Sequence, residues 1–500
     1  MLQQLKPLLK DSAIYAMGNV SGKLVGLILL PYYAEKLTVA EYGILGTMEV
    51  TFQLIVALAG LNLYIAFTRW FFEKEVENKL KSVFFTTLTT VVFLAIVAIV
   101  GLYPVAPAVS RLLFNDSLQY VALFRLMTIS AGLEIIGQIP ATLCKMKRKP
   151  AMYTRNLIIR LLVVLVLTLL FVVVFDRKIE GIYEAQIIGS MVYIFLFLPY
   201  IFKNIAVKFE TVILKKMLHY SFPLVLSSFF IVVLSIADRY ILNFISGLES
   251  VGIYSLGNKI ANVLKIFIVM SVQLALTPTV FRMVDKPGIK RFLSKMMTYF
   301  TFGLMFCVLV ISLYGQEVIK LFTAAEPDYW DAYLVIPFIA FGIVFGMMKD
   351  TSTYGLQIVK KTGVMASVIL FVSLLNVGLN VLFIPFMGAI GAGLSMLLSQ
   401  IIYFFVMLFF AHRYYPVPYE LRKVFLAIAL GAVFCVAAYF IRDFSLLLRL
   451  TIKTLLLFTY PVILYFMGFY DKEELQAIQG FWKKWRHPGA WKENISALKF

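Results

Sequence analysis

The sequence predicts an all-α polytopic membrane protein: about fourteen transmembrane helices, in two parallel six-helix repeats with two further helices at the C-terminal end. Three observations predict it. The 500 residues are 61% apolar and 15% charged, with a mean hydropathy of +0.89, whereas a soluble domain is about 45–50% apolar and about 25% charged. Fourteen apolar stretches approach the ~20 residues needed to cross a hydrocarbon core. The connections between them alternate in charge.

Taken in order, the stretches are 12–33, 42–67, 83–103, 118–143, 153–175, 182–202, 218–236, 251–281, 292–314, 333–348, 364–386, 390–411, 424–441 and 446–469. The first follows only Lys6 and Lys10 and has no small-x-small cleavage site, so it reads as an uncleaved span. The tenth is short. With the N-terminus inside, every inside connection is basic, as in Lys145-Met146-Lys147-Arg148-Lys149, while acids outnumber bases outside. Both termini are therefore expected on the cytoplasmic side. The net charge of +19, from 46 Lys and Arg against 27 Asp and Glu, becomes a consequence of topology, and nucleic acid is excluded as a partner. Phe481-Trp482-Lys483-Lys484-Trp485-Arg486 in the tail interleaves rings and cations, as a helix lying in the headgroup region does.

The chain repeats at an offset of about 210 residues. Glu41-Tyr42-Gly43-Ile44-Leu45 opens the second span and Ser250-Val251-Gly252-Ile253-Tyr254 opens the eighth. Arg69 and Arg282 close those spans. Arg148-Lys149 and Lys360-Lys361 precede the fifth and eleventh. The expected parts are a six-helix lobe over 1–205, a second over 206–413, two helices over 414–470 and a basic amphipathic cytoplasmic tail over 471–500. Six is even, so both lobes enter the membrane in the same direction, which suits an axis along the membrane normal and rocking about a central cavity.

Intramembrane charge is costly and faces a partner or a water-filled cavity. In the first span, Ser12, Tyr15, Asn19, Lys23 and Gly26 fall within about 80° of one another at 100° per residue. In the eighth, Ser255, Asn258, Lys259, Asn262, Lys265 and Gln273 occupy about 120°. Snorkelling serves helix ends, not stripes of this length. Lysines without an acid on their own stripe point to a bound species that brings negative charge, such as phosphate. The substrate-binding candidates are Lys23, Lys259, Lys265, Asn19, Asn258 and Asn262. Glu49 in the second span is the nearest counter-charge; it and Glu134, deep in span four, are alternatively carriers of a coupling proton or sodium ion. Asp238 is a third candidate carrier. Asp238-Arg239 is expected to close span seven at the outer face, as a gate or an anchor, and Arg160 is expected to snorkel to the cytoplasmic face.

No nucleotide-binding glycine loop, nucleophile elbow or large external loop occurs, and His219, His412 and His487 have no metal spacing. Cys144, Cys307 and Cys435 are far apart, so neither a disulfide framework nor a metal site is expected, and the protein is not expected to be an enzyme.

Leu37-Thr38-Val39-Ala40-Glu41-Tyr42-Gly43, Asp238-Arg239-Tyr240-Ile241-Leu242 and Gly252-Ile253-Tyr254-Ser255, on this fourteen-span plan, resemble the polysaccharide flippases of the multidrug/oligosaccharidyl-lipid/polysaccharide (MOP) superfamily, the Wzx-type O-antigen flippase and polysaccharide biosynthesis transporter group. The resemblance implies a MOP-type fold in the bacterial inner membrane. It implies transfer of undecaprenyl-pyrophosphate-linked oligosaccharides to the outer leaflet by alternating access. It also implies coupling to a proton or sodium gradient without a resident cofactor, and polymerase and glycosyltransferase partners. A drug/cation antiporter and a lipid II-type flippase of the same superfamily are the alternatives.

Overall fold

The computed structural model describes residues 21–476 apart from 23, 74, 115–116, 285, 324–325 and 473. Every regular element among the described residues is helical. Twelve stretches are long and apolar enough to span a membrane. One of them, Thr362–Tyr414, supplies the eleventh and twelfth spans together, and most of the first span and the tail motif at 481–486 lie outside the described residues, as do Lys23 and Asn19. The fourteen-span plan and the observed helices therefore agree.

Two long helices are hairpins that turn at glycine. In Thr211–Leu264, Gly247 has φ +80° and ψ 176°. Residues sixteen apart on a straight helix lie about 24 Å apart, yet the Tyr254 hydroxyl donates to Asp238 Oδ2 at 2.7 Å, so the chain folds back on itself. In Thr362–Tyr414, Gly388 has φ +52° and Asn376 Nδ2 donates to Ser399 Oγ across the turn at 3.1 Å. Both turns use the left-handed region that favours glycine.

The second span starts on a capping box: Thr38 Oγ1 accepts from the Glu41 amide at 3.2 Å and Glu41 Oε2 accepts from the Thr38 amide at 2.9 Å, satisfying two amides at the helix start. The helix runs over Val39–Ala59. It then breaks at Leu61 and Asn62, both with positive φ, before Leu63–Trp70, so the expected continuous span over 42–67 is two helices. Turn bonds from the Leu61 amide to the Leu58 carbonyl and from the Leu63 amide to the Gly60 carbonyl carry the backbone across the break, and Asn62 Nδ2 donates to Ser228 Oγ at 2.8 Å.

The repeat is visible as a contact. A methyl group at Gly43 would overlap the Leu248 carbonyl oxygen, and one at Gly252 would overlap the Val39 carbonyl oxygen. Gly43 follows Val39 by four residues, as Gly252 follows Leu248, so the two contacts are images of each other, the reciprocity of a two-fold axis. Glycines at equivalent positions let the opening turns of spans two and eight cross backbone to backbone, as small residues do where packing rather than hydrophobicity joins helices.

Residues 1–289 and 315–417 form one compact unit, and 290–314 with 418–500 form a second. In the first, Phe67, Phe84, Ile135 and Phe197 centre one apolar core, and Leu356, Val372 and Met407 another. In the second, Lys295 meets Glu420 at 2.8 Å, Glu474 at 3.2 Å and also Asp471. There too, Phe302 stacks on Tyr460 with ring centroids 6.2 Å apart.

Candidate functional site

Of the span-one stripe, Gly26 lies among the described residues, and it faces span eight. Lys259 Cε lies 3.7 Å from where a Cβ on Gly26 would stand, an ordinary packing distance. The Lys259 ammonium stands over the rings of Tyr33 and Tyr42, 5.4 and 5.7 Å from their centroids. Such cation–ring contacts hold a charge in place without neutralising it. Glu49 Oε1 is 3.9 Å away, so the nearest counter-charge read from the sequence is the one the fold supplies. The contact is loose and open: the two side chains are 25% and 42% exposed.

One turn further, Asn262 Nδ2 donates to the Asn258 carbonyl at 2.8 Å and to Asn258 Oδ1 at 2.6 Å. The Asn262 backbone carbonyl accepts from the Lys265 amide. Lys265 is exposed and begins a five-residue π-turn, Lys265–Val269, a widening that recurs at functional sites. Gln53, one turn from Glu49, is exposed as well. Spans one, two and eight thus bring Tyr33, Tyr42, Glu49 and Lys259 together.

Glu134 does not join it. Arg160 pairs with Glu134 Oε2 at 2.6 Å and donates to Ser190 Oγ at 3.1 Å, above the Tyr193 ring. The expected snorkelling of Arg160 is therefore replaced by a pair inside the N-terminal lobe. Lone arginine in a span is costly and a carboxylate on the adjacent helix offsets it.

Asp238 and Arg239 do not close span seven; the helix continues to the turn at Gly247. Both are buried, Asp238 to 3% exposure. Asp238 Oδ1 accepts from Asn380 Nδ2 at 2.7 Å and its Oδ2 from Tyr254. The Asn380 amide also reaches Asn376 Oδ1 at 3.1 Å, and Asn380 Oδ1 is buried without a hydrogen-bond partner among the described residues.

Two residues escaped the sequence reading. Span ten does not stop at Met348 but runs over Ile336–Ile358, so Lys349 and Asp350 lie within it. They pair with each other, Lys349 stands 4.8 Å from the Tyr403 centroid, and Asp350 Oδ2 accepts from Gln273 Nε2 at 2.7 Å. Gln273 ends the polar stripe of span eight, so that stripe runs on into a second charged cluster. The shortness of the expected tenth span was the available signal.

The fold has counterparts among solved membrane transporters. A lipid II flippase, MurJ, in an inward closed conformation has the same fold at a TM-score of 0.70 and 13% identity, over 92% of this chain and 100% of that one. An inward-facing multidrug-resistance MATE transporter of the superfamily matches at 0.64 and 15% identity, over 80% and 94%. The profile of the polysaccharide biosynthesis protein family matches residues 8–284, more than half the chain, and the chain belongs to that family. The MatE profile matches residues 223–382. An Lsg locus protein of Haemophilus influenzae is 40% identical over 63 residues, 13% of this chain and 16% of that protein's length.

Proposed function

We propose that this protein moves an undecaprenyl-pyrophosphate-linked oligosaccharide from the inner to the outer leaflet of the bacterial cytoplasmic membrane, for O-antigen, capsule or exopolysaccharide synthesis. The observation that carries the reading is Lys259. It is a half-open ammonium held over Tyr33 and Tyr42, with its carboxylate at 3.9 Å and Lys265 on the same stripe. A pyrophosphate brings more charge than Glu49 and displaces so loose a contact, with Lys as a point-charge partner. Asn258, Asn262 and Gln53 suit sugar hydroxyls, and the lipid tail stays in the bilayer. A polymerase and glycosyltransferases would act before and after this step.

Rocking of the two lobes opens the chamber to either side in turn. Asp238 is the carrier we favour for coupling. Glu134 already has Arg160, whereas the unpartnered Asn380 Oδ1 beside Asp238 offers an acceptor to a sodium ion. Loss of sodium dependence in Asp238→Asn, with transport retained, supports that role; unchanged dependence removes it.

The test of the main reading is export. Lys259→Gln with Lys265→Gln should abolish surface polysaccharide while the protein still inserts at wild-type level; normal export by that variant overturns the site. Half-exposed Glu49 favours a second reading, an organic-cation antiporter. That reading expects efflux of organic cations to be lost in Glu49→Gln, where the flippase reading expects export to persist.

A further inference from the structure

An apolar groove lies beside a cluster of lysines where the third and sixth spans meet. The helix Leu80–Leu102 and the end of Lys178–Asn204 leave a groove of about 330 Å³ between them, lined by Phe85, Leu88, Val92, Ile96, Ile201 and Ile205. The one polar side chain in its wall, Thr89, spends its hydroxyl on the Phe85 carbonyl at 2.8 Å. From Phe85 to Ile96 the groove descends about 16 Å at 1.5 Å per residue, the depth of one leaflet's hydrocarbon, about 15 Å. Phe93 and Ile96 are more than half exposed, so the groove opens toward the bilayer.

At its mouth three lysines gather. Lys147 Nζ donates to Asn204 Oδ1, the residue before Ile205. Lys149 stands 5.0 Å from the Tyr200 ring centroid, one turn earlier. The Lys81 carbonyl accepts from the Ala206 amide at 3.3 Å. Among the described residues no carboxylate pairs with any of the three. The nearby Glu210 is shared by Lys79 and Lys208 and hydrogen-bonded by Ser82. Burial, then the charges of Lys149 and Lys81, push the Lys147 ammonium below the usual lysine range.

We propose that this groove holds an anionic diacyl phospholipid of the lysine-side leaflet, with its phosphate among Lys81, Lys147 and Lys149 and one acyl chain between the third and sixth spans. The charge complementarity selects an anionic headgroup, the dry wall excludes a water-soluble ligand, and the one-leaflet depth suits an acyl chain rather than a far longer prenyl tail. The lipid relieves the repulsion at the mouth and braces two helices of one lobe, away from Lys259.

Native mass spectrometry of the full-length protein in neutral detergent tests it, with phosphatidylglycerol, phosphatidylcholine of matched chains, a long-chain prenyl phosphate and inorganic phosphate as probes. The wild type should retain one phosphatidylglycerol with about tenfold or greater preference over phosphatidylcholine. Lys81→Ala with Lys147→Ala should lose that preference while still taking up phosphatidylcholine. Val92→Trp, which fills the groove and leaves the lysines, should lose both lipids. The proposal is overturned if the wild type shows no preference, if the lysine variant keeps it, or if Val92→Trp retains phosphatidylglycerol. Displacement of the phosphatidylglycerol by inorganic phosphate, or by the prenyl phosphate at equal concentration, also overturns it.

Discussion

Gly43→Ala tests whether the crossing of spans two and eight is the contact that closes one end of the chamber. A Cβ at Gly43 would stand 2.8 Å from the Leu248 carbonyl carbon with the oxygen nearer still, and 3.1 Å from the Gly252 amide nitrogen. Ordinary contact begins at 3.4 Å, and backbone cannot yield as a flexible side chain does. Clearing that oxygen, the nearest atom, requires the helices to part by more than about 1 Å, an overpacking that costs about 1–3 kcal/mol. Because the crossing exists only while these ends are together, the cost falls on that state alone and shifts the balance toward separation by about 5- to 150-fold. Nitroxide labels at Leu118 and Leu321, both exposed, on a background without Cys144, Cys307 and Cys435, report the separation by electron–electron resonance. Gly43→Ala should move the distance distribution to longer values. Gly101→Ala, which has nothing within 4 Å, should leave it unchanged. An unaltered distribution in a folded Gly43→Ala protein would refute the reasoning.

Three other outcomes follow from particular contacts. Arg160→Met should lower thermal stability in detergent by about 2–3 kcal/mol, less than for a fully buried pair, because the partners keep 19% and 28% exposure. Adding Glu134→Gln should restore part of the loss in a double-mutant cycle. Asp350→Asn strands Lys349, so it should depress both expression and export, while Lys349→Gln with Asp350→Asn should recover expression as read by membrane immunoblot. In the second compact unit, bonds from Lys295 and Lys423 hold the Asp471 carboxyl at about 2, below the roughly 3.9 of an unfolded chain. The stabilisation is therefore complete above about pH 4 and is lost as pH falls through about 2. Melting curves of wild type and Asp471→Asn should differ at neutral pH and converge at that acid limit; a constant gap would contradict the pairing.

The spans, the repeat and the polar stripe of span eight were legible because each is periodic along one helix. Hydropathy marks a span, a constant offset aligns Gly43 with Gly252, and 100° per residue puts Asn258, Lys259, Asn262 and Lys265 on one face. What sequence could not supply was the partner on another helix. Arg160 reads as a snorkelling residue until Glu134, 26 residues away, is packed beside it. Span seven reads as ending at Asp238-Arg239 only while Tyr254 and Asn380 are unplaced; once they satisfy the carboxylate, the helix runs on to Gly247. Lys349 and Asp350 truncate a hydropathy window for the same reason. Tertiary pairing makes such charges tolerable inside a bilayer, and local composition carries no record of it. The grouping of 290–314 with the last two helices likewise depends on Lys295 reaching Glu420, Asp471 and Glu474.

The central claim is that Lys259 and Lys265 receive an anionic headgroup for passage between leaflets. Reconstitution into vesicles measures it directly, with a fluorescent prenyl-pyrophosphate-linked oligosaccharide placed in both leaflets and dithionite quenching the outer one. Wild-type protein should render the inner-leaflet pool quenchable without permeabilising the vesicles, and Lys259→Gln with Lys265→Gln should leave that pool protected. Transfer by the double variant at the wild-type rate, or equal wild-type transfer of an uncharged prenyl-linked oligosaccharide, would contradict the account.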